Sequence, residues 1–326
     1  MLLTRFAALP MLFSLVAANC PAFAQQAGAS ACDIPLVAIQ VDPQTHALDL
    51  ATGFTVADFT ADLDGHRVNV EAAALDTSPK RIVLAFDATR HVDKKQWALQ
   101  FQLAEVLLSS GSSSDRFSVF VSPGTPPPFA SADEARAALQ RLATARPIID
   151  EKRNPIYDSL LLAIKAFGTP RFGDSIVLIG FREDANSKTK PDYVMGALIQ
   201  NGIRLHTIDI TDSGDVLART EIAIPGGLTV VDPDQARLFG MATKSGGSSR
   251  SVRRDRSLKD DPVVQRRLQV FYQGISRPYR LTLQLEGGAK PRKLEIAAVE
   301  EKKPGPTILF SYPKVFIRCP APRANP

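Results

Sequence analysis

The chain has 326 residues, 44% of them hydrophobic and 22% charged, with a formal net charge of +5. That composition belongs to a globular protein and excludes a disordered chain; the basic excess is too mild to imply a nucleic-acid partner. The length allows one large domain, or a medium domain plus a small one.

The chain opens with a single positive charge at Arg5, an apolar run from Phe6 to Ala18, and the small-x-small triplet Ala22-Phe23-Ala24 before Gln25. This is the layout of a secretory signal peptide, and residues 1–24 are read as one. The apolar run is interrupted by Pro10 and Ser14 and is too short to span a bilayer. Cys20 follows Asn19, a poor match to a lipoprotein processing site. The expected destination is therefore the periplasm, the cell envelope or the exterior, with no membrane span and a net charge of about +4 once Arg5 is removed. Of three cysteines, Cys20 leaves with the signal, so Cys32 and Cys319 remain at opposite ends of the mature protein. An even count in an oxidising compartment favours pairing. The alternative is two unrelated thiols near the termini. A bridge would close nearly the whole chain, worth at most roughly 5 kcal/mol in the chain-entropy model.

Residues 25–78 read as a β segment, with strand-like stretches at 34–41 and 67–75 flanking the turn Leu63-Asp64-Gly65-His66. Residues 79–247 alternate strand and helix. Arg81–Phe86 is almost continuously apolar, as in a parallel strand buried on both faces. Asp93-Lys94-Lys95-Gln96 resembles a capping box, and Trp97, Phe101, Ala104 and Leu108 then recur at helical spacing. A loop of serines leads to a strand over Arg116–Val121, a helix over 131–144, and another that begins near Pro155, a residue suited to a first helical turn. A second apolar strand follows at 175–180, then a helix ending at Asn201-Gly202 and a strand over 203–210. Strands alternating with helices predict a doubly wound, mostly parallel sheet.

Residues 248–277 are read as a basic loop and a helix; the loop, 246–256, lacks interleaved aromatics, so a solvated loop is preferred over an anion or base contact. In the C-terminal β segment, 278–326, Tyr279, Leu281, Leu283 and Leu285 alternate with polar residues, as do Leu294, Ile296 and Ala298 after a glycine turn. That pattern predicts a β-hairpin. The fold class expected is α/β, with the doubly wound sheet inserted in, or flanked by, a small β domain built from the N- and C-terminal segments.

Asp87 ends the first apolar strand, where ligands bind in open α/β sheets. It opens Asp87-Ala88-Thr89-Arg90-His91, a spacing that would suit a hard, oxygen-liganded cation such as Mg²⁺. Thr89 supplies a hydroxyl; His91 is a poor oxygen donor. The order of features over about residues 81–247 resembles the von Willebrand factor type A family. It comprises the aspartate-ended strand, the Tyr157-Asp158-Ser159-Leu160 helix, the second apolar strand and a downstream segment before a glycine pair. The lead-in Leu50-Ala51-Thr52-Gly53-Phe54-Thr55-Val56-Ala57-Asp58-Phe59, followed by Asp64-Gly65, is similar to a secreted bacterial branch of that family.

The resemblance implies a metal site made of an Asp-x-Ser-x-Ser loop, a threonine before the tyrosine-aspartate helix and an aspartate after the later strand, with the cation taking a partner protein's carboxylate. By position, Asp87 matches the first aspartate, Thr89 and His91 stand for the serines, Asn154 for the threonine, and Phe181 for the last aspartate. Glu183 and Asp184 lie out of register, while Arg90 and Arg182 could neutralise Asp87. One formal charge is left for a dication, so the expectation is a degenerate, metal-free ligand rim of Asp87, Thr89, His91 and Asn154. No cofactor is expected; Mg²⁺ is the alternative. No nucleophile elbow, phosphate loop, His-Glu-x-x-His or Cys-x-x-Cys occurs. His206, inside a strand, reads as structural. The favoured function is an exported, non-enzymatic module, adhesive or scaffolding, presenting the rim to a protein partner. The rivals are an exported hydrolase using Asp87, Asp184 and Asp209, and a Mg²⁺-dependent ligand-capture protein.

Overall fold

A computed structural model of the chain describes residues 30–45, 47–88, 92–145, 154–180, 184–211, 233–254, 258, 261–285, 290–299 and 307–316. In chain order, β1 (Ser30–Val41) and β2 (Leu48–Leu50) lead to a single 3-10 turn at Val56–Asp58, then β3 (Phe59–Leu63), β4 (His66–Val68) and β5 (Val70–Leu75). The alternating region follows: β6 (Arg81–Phe86), α1 (Lys94–Ser109), β7 (Arg116–Val121), α2 (Ala132–Ala145), α3 (Ile156–Ala166), β8 (Ser175–Ile179), α4 (Pro191–Asn201), β9 (Arg204–Thr211), α5 (Pro233–Lys244), β10 (Ser249–Arg253) and α6 (Pro262–Ser276). The chain then returns to strands with β11 (Tyr279–Leu285), β12 (Arg292–Ala298), β13 (Thr307–Ser311) and β14 (Val315–Phe316).

The central sheet runs β7-β6-β8-β9-β10, with every neighbouring pair parallel. One antiparallel bridge, Phe117 to Ala130, extends its edge. Burial on both faces explains the apolar runs. Ile82, Leu84 and Phe86 pack under α1, α2 and α6, whereas Val83 and Ala85 pack under α3, α4 and α5. Phe86 is fully buried and stacks on Phe101 of α1 with ring centroids 5.2 Å apart; truncating such a side chain to alanine costs on the order of 3–5 kcal/mol. The caps agree with the local sequence. Asp93 accepts a hydrogen bond from the Gln96 amide at 2.8 Å to start α1, and Gly202 ends α4 in the left-handed region.

The terminal segments form two further sheets, β13-β1-β11-β5 with β2 on β1, and β14-β12-β3-β4. Both mix strands from before and after the α/β region, which is inserted between β5 and β11. Their shared core holds Leu36, Phe59, Leu63, Leu281, Leu283, Leu294 and Ile296. Phe54, Phe59, Tyr279 and Phe310 cluster there with ring centroids 5.4–6.1 Å apart. Cys32 is buried in β1 opposite Leu283; Cys319 lies outside the described residues.

Two expectations are corrected. β11 and β12 are not a hairpin. β11 already has β1 on one edge and β5 on the other, while β12 lies in the other sheet between β3 and β14. The alternation marks a strand with one buried face, which says nothing about the partner strand. Nor is 249–253 a solvated loop: it is β10, parallel to β9, with Ser249 and Arg250 buried. Strand hydrogen bonds and cover from α6 override its polar composition.

A buried polar seam joins the two units at the amino ends of the parallel strands. The Lys80 ammonium donates to Asp76 Oδ2 at 2.9 Å, and the Lys80 amide donates to Asp115 Oδ1 at 2.8 Å. The other Asp115 oxygen accepts from the Tyr272 hydroxyl of α6 at 2.7 Å. Arg280 of β11 bridges Asp33 and Asp76. This end of the sheet is therefore committed to structure.

Candidate functional site

Counted within the sheet, the strand order is 2-1-3-4-5, so the connections reverse direction between β6 and β8. A crevice is expected outside the carboxyl ends of those two strands. Asp87 is the first residue after β6 and is only 3% exposed. Its amide donates to the Ile179 carbonyl of β8 at 3.2 Å, and its carbonyl accepts from Gln100 Nε2 of α1 at 2.9 Å. Gly180 closes β8 with φ +83 and donates to the Ile208 carbonyl at 2.8 Å. A side chain there would put its Cβ 2.7 Å from Gln100 Nε2. Glycine is thus required both by the backbone and by the side chain that fixes Asp87.

The neighbouring loops are bonded to one another. Ser122, just past β7, donates its amide to the Phe86 carbonyl at 2.9 Å and shares a 2.7 Å hydroxyl contact with Ser159 of α3. Asn154 is buried and pairs through its backbone with Ala185, at 3.1 and 2.8 Å. That pairing places Asn154 beside the loop after β8. A helix start leaves amides without intrahelical partners. In α3 the Ile156 amide donates to Asp184 Oδ1 at 2.8 Å, and the Tyr157 amide to Ser187 Oγ at 3.0 Å. Ser187 in turn donates to Asp184 Oδ1 at 2.5 Å. Asp184 is therefore an anionic cap at the positive end of a helix dipole. Asp158, inside the same first turn, accepts from the Lys188 and Thr189 amides at 3.0 and 2.8 Å. Burial alone would raise its pKa; the Thr189 side chain and these amides outweigh it and hold the carboxyl below the usual range.

Of the residues expected at the rim, Asp87 and Asn154 lie on loops at the carboxyl end of the sheet. Thr89 and His91 lie outside the described residues, as do Arg90, Phe181, Arg182 and Glu183. Asp209 of β9 is 3% exposed and accepts a hydrogen bond from Gln235 Nε2 of α5. Among the described residues, no three His, Cys, Asp or Glu side chains gather at metal-binding distance. The hydroxyls described here have structural partners: Ser122 and Ser159 are bonded to each other, and Ser187 is bonded to the capping Asp184. His206 is buried elsewhere, edge-on to Phe271 at 5.6 Å. Burial, with Arg204 and Arg250 beside it, holds its pKa well below 6.5, so the ring is neutral. Gln100, Ser122, Ser159 and Ser187 were not visible as site residues in the sequence. The serine three positions after Asp184 was the only local signal of a cap, and the helix it serves begins 28 residues earlier.

No family model matches the sequence, and no curated protein matches it. Among solved structures, the chain is similar to a von Willebrand factor type A protein from Catenulispora acidiphila (12% identity, TM-score 0.45, covering 90% of this chain and 75% of that one). It is also similar to an aerotolerance-related membrane protein from Bacteroides fragilis (16% identity, TM-score 0.42, covering 60% and 98%). A third is the ArnB paralog VWA2 from Sulfolobus acidocaldarius (10% identity, TM-score 0.40, covering 89% and 77%). The fold class stands on the sheet order itself. Among the described residues, no helix is long and apolar enough to cross a membrane.

Proposed function

We propose that the chain is an exported, non-enzymatic protein-interaction module of the adhesion or scaffold kind. It presents the loops after β6 and β8 to a protein partner without a bound metal. The observation that carries this reading is the use made of the carboxylates. Asp184, the acid best placed to replace the aspartate absent at position 181, caps α3, and Asp209 bonds to Gln235. Of the family's acidic positions only Asp87 keeps a carboxylate, which sets one formal negative charge against the two positive charges of a dication. The same commitments weaken the hydrolase alternative, which would need two of these three acids free for proton transfer. The loops are cross-bonded through Gln100, Ser122–Ser159 and Asn154–Ala185, which preorganises a surface for binding. Export rests on the signal-like residues 1–24, and a Cys32–Cys319 bridge would tie the β unit's ends in that compartment. No nucleic-acid partner is proposed.

The test is crosslinking capture from a native envelope fraction with the full chain as bait, with and without EDTA. The reading expects the same partner in both samples and its loss on Gly180→Ala. Capture abolished by EDTA would replace it with metal-dependent ligand capture. Turnover of a generic ester, peptide or glycoside substrate would replace it with a hydrolase.

A further inference from the structure

A cleft of about 680 Å³ opens between the last turn of α5 and the β unit. Because α5 leads into the parallel strand β10, its last turn lies at the end of the sheet opposite the rim after β6 and β8. None of the buried seam groups at that end lines the cleft. Among the described residues its charged lining is Lys244, Lys293, Lys314 and Glu295, and Thr243 and Tyr312 also face it. The three lysines come from separate segments that the backbone ties together. The Lys314 amide donates to the Lys244 carbonyl at 3.1 Å, and the Lys314 carbonyl accepts from the Leu294 amide at 3.0 Å. Lys293 pairs with Val315 across β12 and β14. The junction is close: a Cβ on Gly246, at φ +82, would lie 2.5 Å from Pro313. Ser311 Oγ donates to the neighbouring Gly247 carbonyl at 2.6 Å.

The lysine ammonium groups are accounted for one by one. That of Lys314 lies 3.8 Å from the centre of the Tyr312 ring. The ring is itself fixed, because its hydroxyl accepts the Ile296 amide at 2.9 Å. Lys293 and Glu295 stand two apart on the exposed face of β12 and form an ion pair. Lys244 is exposed and makes no ion pair among the described residues. Three ammonium groups thus face one carboxylate, which leaves a formal charge of +2 (three less one). A cleft lined by one sign of charge concentrates counter-ions, and here hydrogen-bonded backbone holds the like charges together.

We infer that this cleft binds a phosphomonoester, with the phosphate among Lys244, Lys293 and Lys314. A phosphomonoester carries about −1.5 to −2 charges at pH 7 and presents three acceptor oxygens, which matches the formal charge and the three ammonium donors. A carboxylate brings a single charge. Lysine suits phosphate as a point charge, whereas planar bidentate recognition of carboxylates favours arginine. The volume falls within the roughly 300–1,000 Å³ of small-molecule sites, so an organic group fits beside the Tyr312 ring and the Thr243 hydroxyl. This site is separate from the rim and does not rest on the function proposed for it.

The experiment is calorimetric titration of the full chain with phenyl phosphate, and with benzoate as the singly charged control, at constant ionic strength. The expected result is a saturable one-to-one heat for phenyl phosphate and at least tenfold weaker binding of benzoate. Lys244→Gln and Lys314→Gln should each weaken phenyl phosphate roughly tenfold. Lys165→Gln, at an exposed position of α3, should leave it unchanged. Lys244 is exposed, so its variant keeps the fold, and the wild-type titrations decide the matter in any case. Phosphomonoesters occur on soluble molecules and on lipid headgroups. With phenyl phosphate bound, co-sedimentation with phosphatidate but not phosphatidylcholine vesicles assigns the headgroup, and its absence assigns a soluble ligand. No saturable heat at millimolar phenyl phosphate, equal affinity for benzoate, or an equal loss in Lys165→Gln would overturn the assignment.

Discussion

Gly180→Ala should loosen the rim by two separable routes. The residue has φ +83, a region where a Cβ costs roughly 1–2 kcal/mol. The new Cβ would also lie 2.7 Å from Gln100 Nε2 and 2.8 Å from its Cδ, so Gln100 must move. Its 2.9 Å bond to the Asp87 carbonyl is buried, and losing it adds about 1–1.5 kcal/mol. The expected total is about 2–4 kcal/mol, read as a lower urea midpoint at unchanged m. Gln100→Ala alone strands the Asp87 carbonyl and costs about 1–3 kcal/mol. In the double variant the clash has no target and the bond is lost only once. The losses should therefore fall short of additivity by about 1 kcal/mol. Strictly additive losses, or a Gly180→Ala penalty below about 0.5 kcal/mol, would refute the coupling of Gly180, Gln100 and Asp87.

Three further outcomes follow from the site and its surroundings. Asp184→Ala removes the α3 cap and should cost about 1–2 kcal/mol, with hydrogen exchange rising first at the Ile156 and Tyr157 amides; unchanged exchange there would refute the capping role. His206 has its folded pKa well below 6.5, so the stability that depends on its neutral ring is complete above about pH 6.5 and declines as pH falls below that value. Tm measured from pH 7.5 to 5 should drop more in the wild type than in His206→Gln, and equal slopes would count against burial of a neutral ring. For Asp158 the carboxyl is depressed, so its contribution is present above about pH 4 and is lost as pH falls through the folded pKa. Asp158→Asn should narrow the stability gap between pH 7 and pH 3, and an undiminished gap would show the bonds to Lys188 and Thr189 contribute nothing.

Much of the fold was legible because burial on both faces leaves a direct trace. Arg81–Phe86 and Ser175–Ile179 are apolar at consecutive positions, and Asp93 and Gly202 mark the start of α1 and the end of α4 locally. What was hidden depends on distant partners. β10 contains one apolar residue, Val252, and its burial of Arg250 and Ser249 reflects α6 packing over it. The alternation in β11 and β12 shows one buried face each, yet β1 and β5, which flank β11, and β3, on one side of β12, lie more than 200 positions earlier in the chain. The site divides similarly. Asp87 could be placed at a strand end from the apolar run before it. The engagement of Asp184 by α3 could not, because it depends on a loop folding back onto a helix start.

The central claim is that the rim works without a metal. Calorimetric titration of the full chain with Mg²⁺ and Mn²⁺ tests it most directly, since a working site would stabilise the fold by about 2.7 kcal/mol at a hundredfold excess over the dissociation constant. The account predicts no saturable heat and no Tm shift in the native chain, with binding gained when Phe181→Asp and His91→Ser supply the carboxylate and hydroxyl it lacks. A saturable one-to-one heat in the native chain, abolished by Asp87→Ala, would contradict it.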